Sequence, residues 1–444
     1  MTLERRWSSW EKWLADRQLP PELKKIMYRE YGYLLYFGGL FLNMEPKMVI
    51  FSAIQSIVYL AANFFYLVVF LVTAIKSPTL MGLSQQLNFF SLAAISIAVY
   101  CTGLNNRANL TRQFQILADD FYDYGSTFVN KDESKWKNDL QKFKWIILIA
   151  IPSYLVIIGI FILLANWIDA MLGYEADDVD YAGEIYQRTP MKLWHPFYID
   201  SVYKRAIATI GQCIVALALS MSLGAADVMM LLLGQTVSLQ LRILCLATVN
   251  MDLRALNMYK EMTHGLEPSK DPIERSKDKI LDECYRRAIK QLVEHHLIIQ
   301  EFYDLYNQLA KWPAGFAVLN GSIMIAMSIL VVTVGTGDRP STYINAGLLL
   351  IAEITSMWLL CETGQQVNGW SEELYNSLYE FDWPNIGKSN RRMILIFKEK
   401  IKNPLVMMAG GLTPINRDTF GTIMNTAYSY INLLRASETN DSRK

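Results

Sequence analysis

Five polar side chains near the end of the chain, Asp418, Thr422, Asn425, Ser429 and Asn432, follow one another at steps of four, three, four and three. On a helix that spacing puts them on one face. Phe420, Ile423, Met424, Ala427, Ile431 and Leu434 fill the other side. A row of amides and hydroxyls can hydrate an ion or hold a file of water. It can also pack helix on helix, as small polar residues do in membranes. The stretch Thr413–Leu434 is about long enough to cross a bilayer, which takes ~20 residues. A wet face inside a membrane must turn toward protein or water. A single helix cannot enclose water, but several copies around an axis can. The stripe therefore reads as the lining of a pore in an oligomer.

The rest of the chain must position that helix. Of its 444 residues 52% are hydrophobic and only 19% charged, against ~25% charged in soluble chains. That is a polytopic membrane protein, all-α, with seven spans: Val49–Ile75, Leu83–Leu104, Trp145–Asn166, Ala206–Leu223, Pro313–Val334, Tyr343–Cys361 and Thr413–Leu434. The run Tyr33–Leu42 is too short to cross and reads as re-entrant or interfacial. Segments 1–48, 105–144, 246–312 and 362–412 hold 31 of the 42 lysines and arginines, and the alternate segments hold nine. Positive residues mark the cytoplasmic side, so the N-terminus reads as cytoplasmic and the C-terminus as extracellular. The first 48 residues, with Trp7, Trp10 and Trp13 among mixed charges, read as a partly amphipathic cytoplasmic segment rather than a cleaved leader.

Zero net charge gives no general attraction to nucleic acid. The five cysteines form no metal spacing, and Walker, GxGxxG and GxSxG motifs are absent. No cofactor is implied, and an enzyme lacks its parts. The spans show no paired carboxylates suited to a proton relay and no internal repeat, against a transporter. Pro152 is expected to kink the third span beside Ser153 and Tyr154. The outer loop carries Glu175, Asp177, Asp178, Asp180, Glu184 and Asp200, a solvated run or a cation concentrator at a mouth. Its cluster Leu193–Tyr198 could cap a pocket.

The fourth span continues through Asp227, Gln235, Gln240 and Arg242. A helical pattern over Cys284–Lys311 precedes the fifth, and Trp370, Leu374, Leu378 and Phe381 stripe the stretch after the sixth. These pieces should pack into a cytoplasmic helical anchor bundle. The adjacent His295 and His296 read as a surface-and-core pair rather than a metal site. Between Asp382 and Gly411 the chain reads as loop, entering the last helix at Thr413–Pro414. The resulting division is 1–48 N-terminal segment, 49–245 spans one to four, 246–311 loop and long helix, 312–361 spans five and six, 362–412 anchor helix and loop, 413–436 pore helix and 437–444 extracellular tail.

Phe420, Tyr428-Ser429-Tyr430 and Leu433-Leu434, with His295-His296, Glu362–Trp370 and Trp194–Phe197 upstream, resemble the insect odorant receptor family. The resemblance covers the whole chain in topology and is strongest in motif over 285–435. Gustatory receptors end in a Thr-Tyr…Gln-Phe signature, whereas Ala436-Ser437 follows here. The long inner loop of the co-receptor is missing, so the chain looks like a ligand-tuning subunit. The resemblance implies an odorant-gated, non-selective cation channel in the plasma membrane of olfactory sensory neurons. Its partners would be a volatile odorant, membrane lipid, and either the co-receptor in a heterotetramer or its own copies in a homotetramer. By position Leu433 matches the hydrophobic gate and Asn432 its polar neighbour, with Ser429 and Asn425 along the conduit. The chain continues nine residues past Arg435. The family's ligand pocket maps here to Phe89, Phe90, Tyr154, Ile157, Phe161, Tyr203, Ile207, Gly211, Tyr343 and Ala346. The rival reading is a seven-span metabotropic receptor without a pore, which would place the sequon Asn440-Asp-Ser442 on the cytoplasmic side.

Overall fold

The structure is a computed structural model that describes residues 46–77, 80–125, 131–173, 189–191, 193–199, 201–269, 278–334, 340–380 and 386–441. The run Tyr33–Leu42, the N-terminal tryptophans and the acidic loop residues lie outside them.

Among the described residues ten helices and one small hairpin follow in order: α1 Pro46–Lys76, α2 Leu80–Asn105, α3 Arg107–Ala118, α4 Lys131–Met171, α5 Val202–Val249, α6 Met251–Met262, α7 Lys279–Val334, α8 Pro340–Glu380, α9 Lys388–Lys400, β1 Met408–Ala409, β2 Thr413–Pro414 and α10 Arg417–Asp441. Among the described residues six helices (α1, α2, α4, α5, α7 and α8) are long and apolar enough to cross a membrane. These match the first six apolar runs. The last stretch forms α10, too polar to be counted with them. Helix α4 runs unbroken through Pro152.

Four helices far outrun a bilayer. α4 and α8 have 41 residues each, α5 has 48 and α7 has 56, and at 1.5 Å per residue α7 spans about 84 Å. Their apolar stripes continue past the spans, so they remain packed. Leu241 and Leu244 of α5, Ile289, Leu292 and Ile299 of α7, and Leu374 and Leu378 of α8 share one core with α3, α6 and α9. This expected bundle makes one end of the molecule dense.

The stretch Asp382–Gly411, read as loop, holds helix α9, and the entry to the last helix differs from the sequence reading as well. Thr413 and Pro414 are a strand paired with Ala409 and Met408, and the helix begins three residues later. Gly410 and Gly411, at φ +63° and +75°, supply the tight reversal that a side chain would strain. Asn416 then caps α10, its Oδ1 accepting from Thr419 N at 2.9 Å. The hairpin is pinned to α7 by Gly410 N donating to Lys311 O at 2.8 Å. A Cβ on Gly315 would come within 2.9 Å of Gly410, so only glycine permits this approach.

Candidate ligand cavity and polar helix face

The half of the molecule opposite the bundle is looser. A cavity of about 530 Å³ opens between α1, α2, α4, α5, α7 and α8, a volume suited to a small organic molecule. Phe70 and Phe89 stack at one wall, ring centroids 5.6 Å apart. Ile151, Leu155, Ile158 and Ile162 of α4 and Val215, Leu219 and Leu223 of α5 form the sides. Tyr154 ties α4 to α8, its hydroxyl donating to Leu348 O at 3.0 Å. Polar groups collect along α5 and α8: Asp227, Glu353, Thr355 and Ser356. Ser356 Oγ donates to Asp227 Oδ2 at 3.1 Å.

Of the ten residues singled out for a pocket, Phe89 and Tyr154 line this cavity. Phe90 packs against the same cluster from partial burial. Ile157 and Phe161 lie on the exposed side of α4, and Tyr203 and Ile207 of α5 are exposed, Tyr203 by 76%. Gly211 faces Tyr66, whose hydroxyl would lie 2.6 Å from an added Cβ. Tyr343 and Ala346 stand one to three turns nearer the start of α8 than the cavity wall at Leu349, Ala352, Glu353 and Ser356. The cavity is therefore deeper, toward the bundle, than the outer halves of the spans. The expectation of no paired carboxylates in the spans is corrected: Asp227 and Glu353, on different helices, face one cavity. Asp227 was read on the continuation of the fourth span; Glu353 was not singled out, and only the fold brings the two to one cavity.

The segment expected to cap a pocket sits against α1 and α5. Leu193 is fully buried in the core next to Phe70 and Val215. Trp194 N donates to Thr73 Oγ1 at 2.9 Å.

Helix α10 is sorted by face as its spacing requires. Ile423, Ala427 and Ile431 are buried against Ala317, Ile325 and Ala326 of α7 and Met357 of α8. Asp418, Thr422, Asn425, Ser429 and Asn432 are exposed, and Leu433 is 69% exposed. Thr422, Thr426 and Ser429 donate to the carbonyl four residues back at 2.8–3.0 Å. Ala317 and Met357 both touch the α10 cluster and line the cavity. A fork of Arg417 on Glu362, with both contacts at 2.8 Å, fixes the base of α10 to α8.

In the bundle both histidines are buried, so the surface-and-core reading is corrected. His295 Nδ1 lies 2.7 Å from the Tyr124 hydroxyl and Nε2 3.0 Å from Gln240 Oε1, which the neutral ring satisfies by accepting from Tyr124 and donating to Gln240. Burial pushes His295 down to about 3 and His296 down to about 4. Arg254, also fully buried, stands over the Tyr124 ring. These groups hold the bundle and do no evident chemistry.

The fold and cavity define a multi-pass helical membrane protein with room for a small apolar molecule. The family model described as 7tm Odorant receptor matches residues 111–428. The chain belongs to the insect odorant receptor family. Odorant receptor 46a, isoform B, of Drosophila melanogaster is 24% identical over 203 residues, covering 44% of this chain and 48% of that protein. Odorant receptor 10 of Aedes albopictus is 22% identical over 187 residues, 42% of this chain and 48% of that one. The matched region thus spans about half the length of these curated relatives. In three dimensions the olfactory receptor OR5 of Machilis hrabei, solved in complex with eugenol, superposes with a TM-score of 0.71 at 14% identity, over 94% of this chain and 98% of that one. A second structure of the same receptor gives 0.69.

Proposed function

We propose that this chain is the ligand-tuning subunit of an odorant-gated cation channel, a tetramer formed with the co-receptor or with its own copies. The N-terminus lies in the cytoplasm of an olfactory sensory neuron and the C-terminus outside. The observation that carries this reading is the sorting of α10. Its apolar face is packed inside the chain and its polar face is left for something else. Asn425, Ser429 and Asn432 line the conduit at the tetramer axis, and Leu433 closes it. A volatile odorant occupies the cavity beside Phe89 and Tyr154. Its binding comes from apolar burial at about 25 cal/mol per Å² and from aromatic contact.

Ala317 and Met357 supply the mechanical link. A ligand that fills the cavity presses on the two side chains against which α10 rests. It opens the conduit only to the extent that it prefers the cavity shape of the open state. The test is to express the chain alone and with a co-receptor and record membrane currents under a panel of odorants. Odorant-evoked cation current is expected, with Leu433→Ala raising the basal current. Odorant responses that persist only through intracellular messengers, with a tail epitope reachable from the cytoplasm, would instead favour the metabotropic reading.

A further inference from the structure

Asp227 and Glu353 pose a physical problem. They face a cavity whose walls are otherwise largely apolar, and no Lys, Arg or His is among its lining residues. Asp227 has one donor, Ser356. Glu353 Oε1 is fully buried with no hydrogen-bond partner among the described residues. It is held there against Gly321, where an added Cβ would lie only 3.2 Å away. Two carboxylates facing one apolar cavity are costly unless a cation or several donors stand between them. The chain supplies neither, so the pair is compensated either by taking up a proton or by a ligand that brings charge and donors.

On the reading that this cavity is the ligand site, we propose that it selects molecules with a protonated amine on an apolar body, the ammonium seated between Glu353 and Asp227. A primary ammonium brings a charge and three donors, enough for the orphan Glu353 oxygen and the second Asp227 oxygen together. Phe70, Phe89 and Leu219 receive the hydrocarbon. A bare metal ion does not fit: it wants about six oxygens, and no group of three or more metal-ligating side chains occurs among the described residues. A neutral alcohol brings only one donor and leaves a carboxylate uncompensated.

The experiment measures binding of phenylbutylamine and phenylbutanol to the purified full-length chain, in the complex in which it expresses, by calorimetry in lipid nanodiscs. Charged hydrogen bonds should make the amine bind at least about tenfold more tightly than the alcohol. Glu353→Gln should bring the ratio to about one. If that variant does not fold, Asp227→Asn carries the same expectation. Equal binding of the two probes, no binding of either, or a ratio untouched by both substitutions would overturn the proposal. The channel reading fails separately: amine preference in the binding assay without any evoked current would sink the channel and leave the site. Current evoked by neutral odorants with no amine preference would do the reverse.

Discussion

The two ends of α5, α7 and α8 solve different problems with the same helices. At the bundle end Leu241, Leu292, Phe302 and Leu374 are buried in one continuous core, and even Arg254 and His295 are enclosed with partners. At the other end the same three helices stand apart around about 530 Å³ of space and put two carboxylates beside it. Dense packing has few alternative arrangements, whereas a void gives its walls room to shift. One end is thus built to hold its shape and the other to change it. Helix α10 spans the difference, tied to the first by Arg417 and the hairpin and resting on the second through Met357.

The largest expected effect compares truncations at the two ends. Phe302→Ala, which removes a ring tilted against Phe121 with centroids 5.0 Å apart, should cost about 3–5 kcal/mol. Ile158→Ala only widens an existing void and should stay near the low end, about 2 kcal/mol. Thermal melts in detergent read both, and equal losses would break the contrast.

Acid should attack the bundle first. His295 and His296 are neutral in the fold, held at about 3 and about 4 by burial, while the unfolded chain takes up protons near 6.5. Their contribution is fully present above about 6.5 and is lost as pH falls toward those folded values. Stability should drop by about 1.4 kcal/mol per pH unit for each histidine within that window. His296→Gln should roughly halve the slope of melting temperature against pH; an unchanged slope would count against buried neutral rings.

Gly364→Ala sharpens the coupling between the bundle and the last helix. Its Cβ would run into Ile415 O, so the link between β2 and α10 must move, at about 1–3 kcal/mol. A shifted odorant dose–response should accompany the lower melting point. Smallest in stability is Arg417→Ala. The pair is exposed and screened by water, so the melting temperature should barely move, yet the open probability should change if Arg417 steadies the base of α10.

Much of this was legible in the sequence, for a physical reason in each case. The six apolar runs announced their helices because a membrane tolerates few charges. The face of α10 was legible because polar and apolar residues alternate with helical period. The pocket register was not. On α4 the exposed Ile157 and Phe161 and the cavity-lining Ile158 and Ile162 are chemically alike, so periodicity offers no contrast between lipid and cavity. The hairpin was hidden because Thr413-Pro414 is also a good helix start. Only the approach of Gly410 to Gly315, almost a hundred residues away in sequence, decides for the strand.

The most direct test places a cysteine on α10 and asks whether water and ions reach it. In the assembled receptor, a charged thiol reagent applied during odorant stimulation should modify Ser429→Cys and Asn425→Cys and reduce the current, while leaving Ala427→Cys, on the packed face, unmodified. Modification confined to Ala427→Cys, or a current indifferent to labelled Ser429→Cys, would contradict a conduit built along the polar face of this helix.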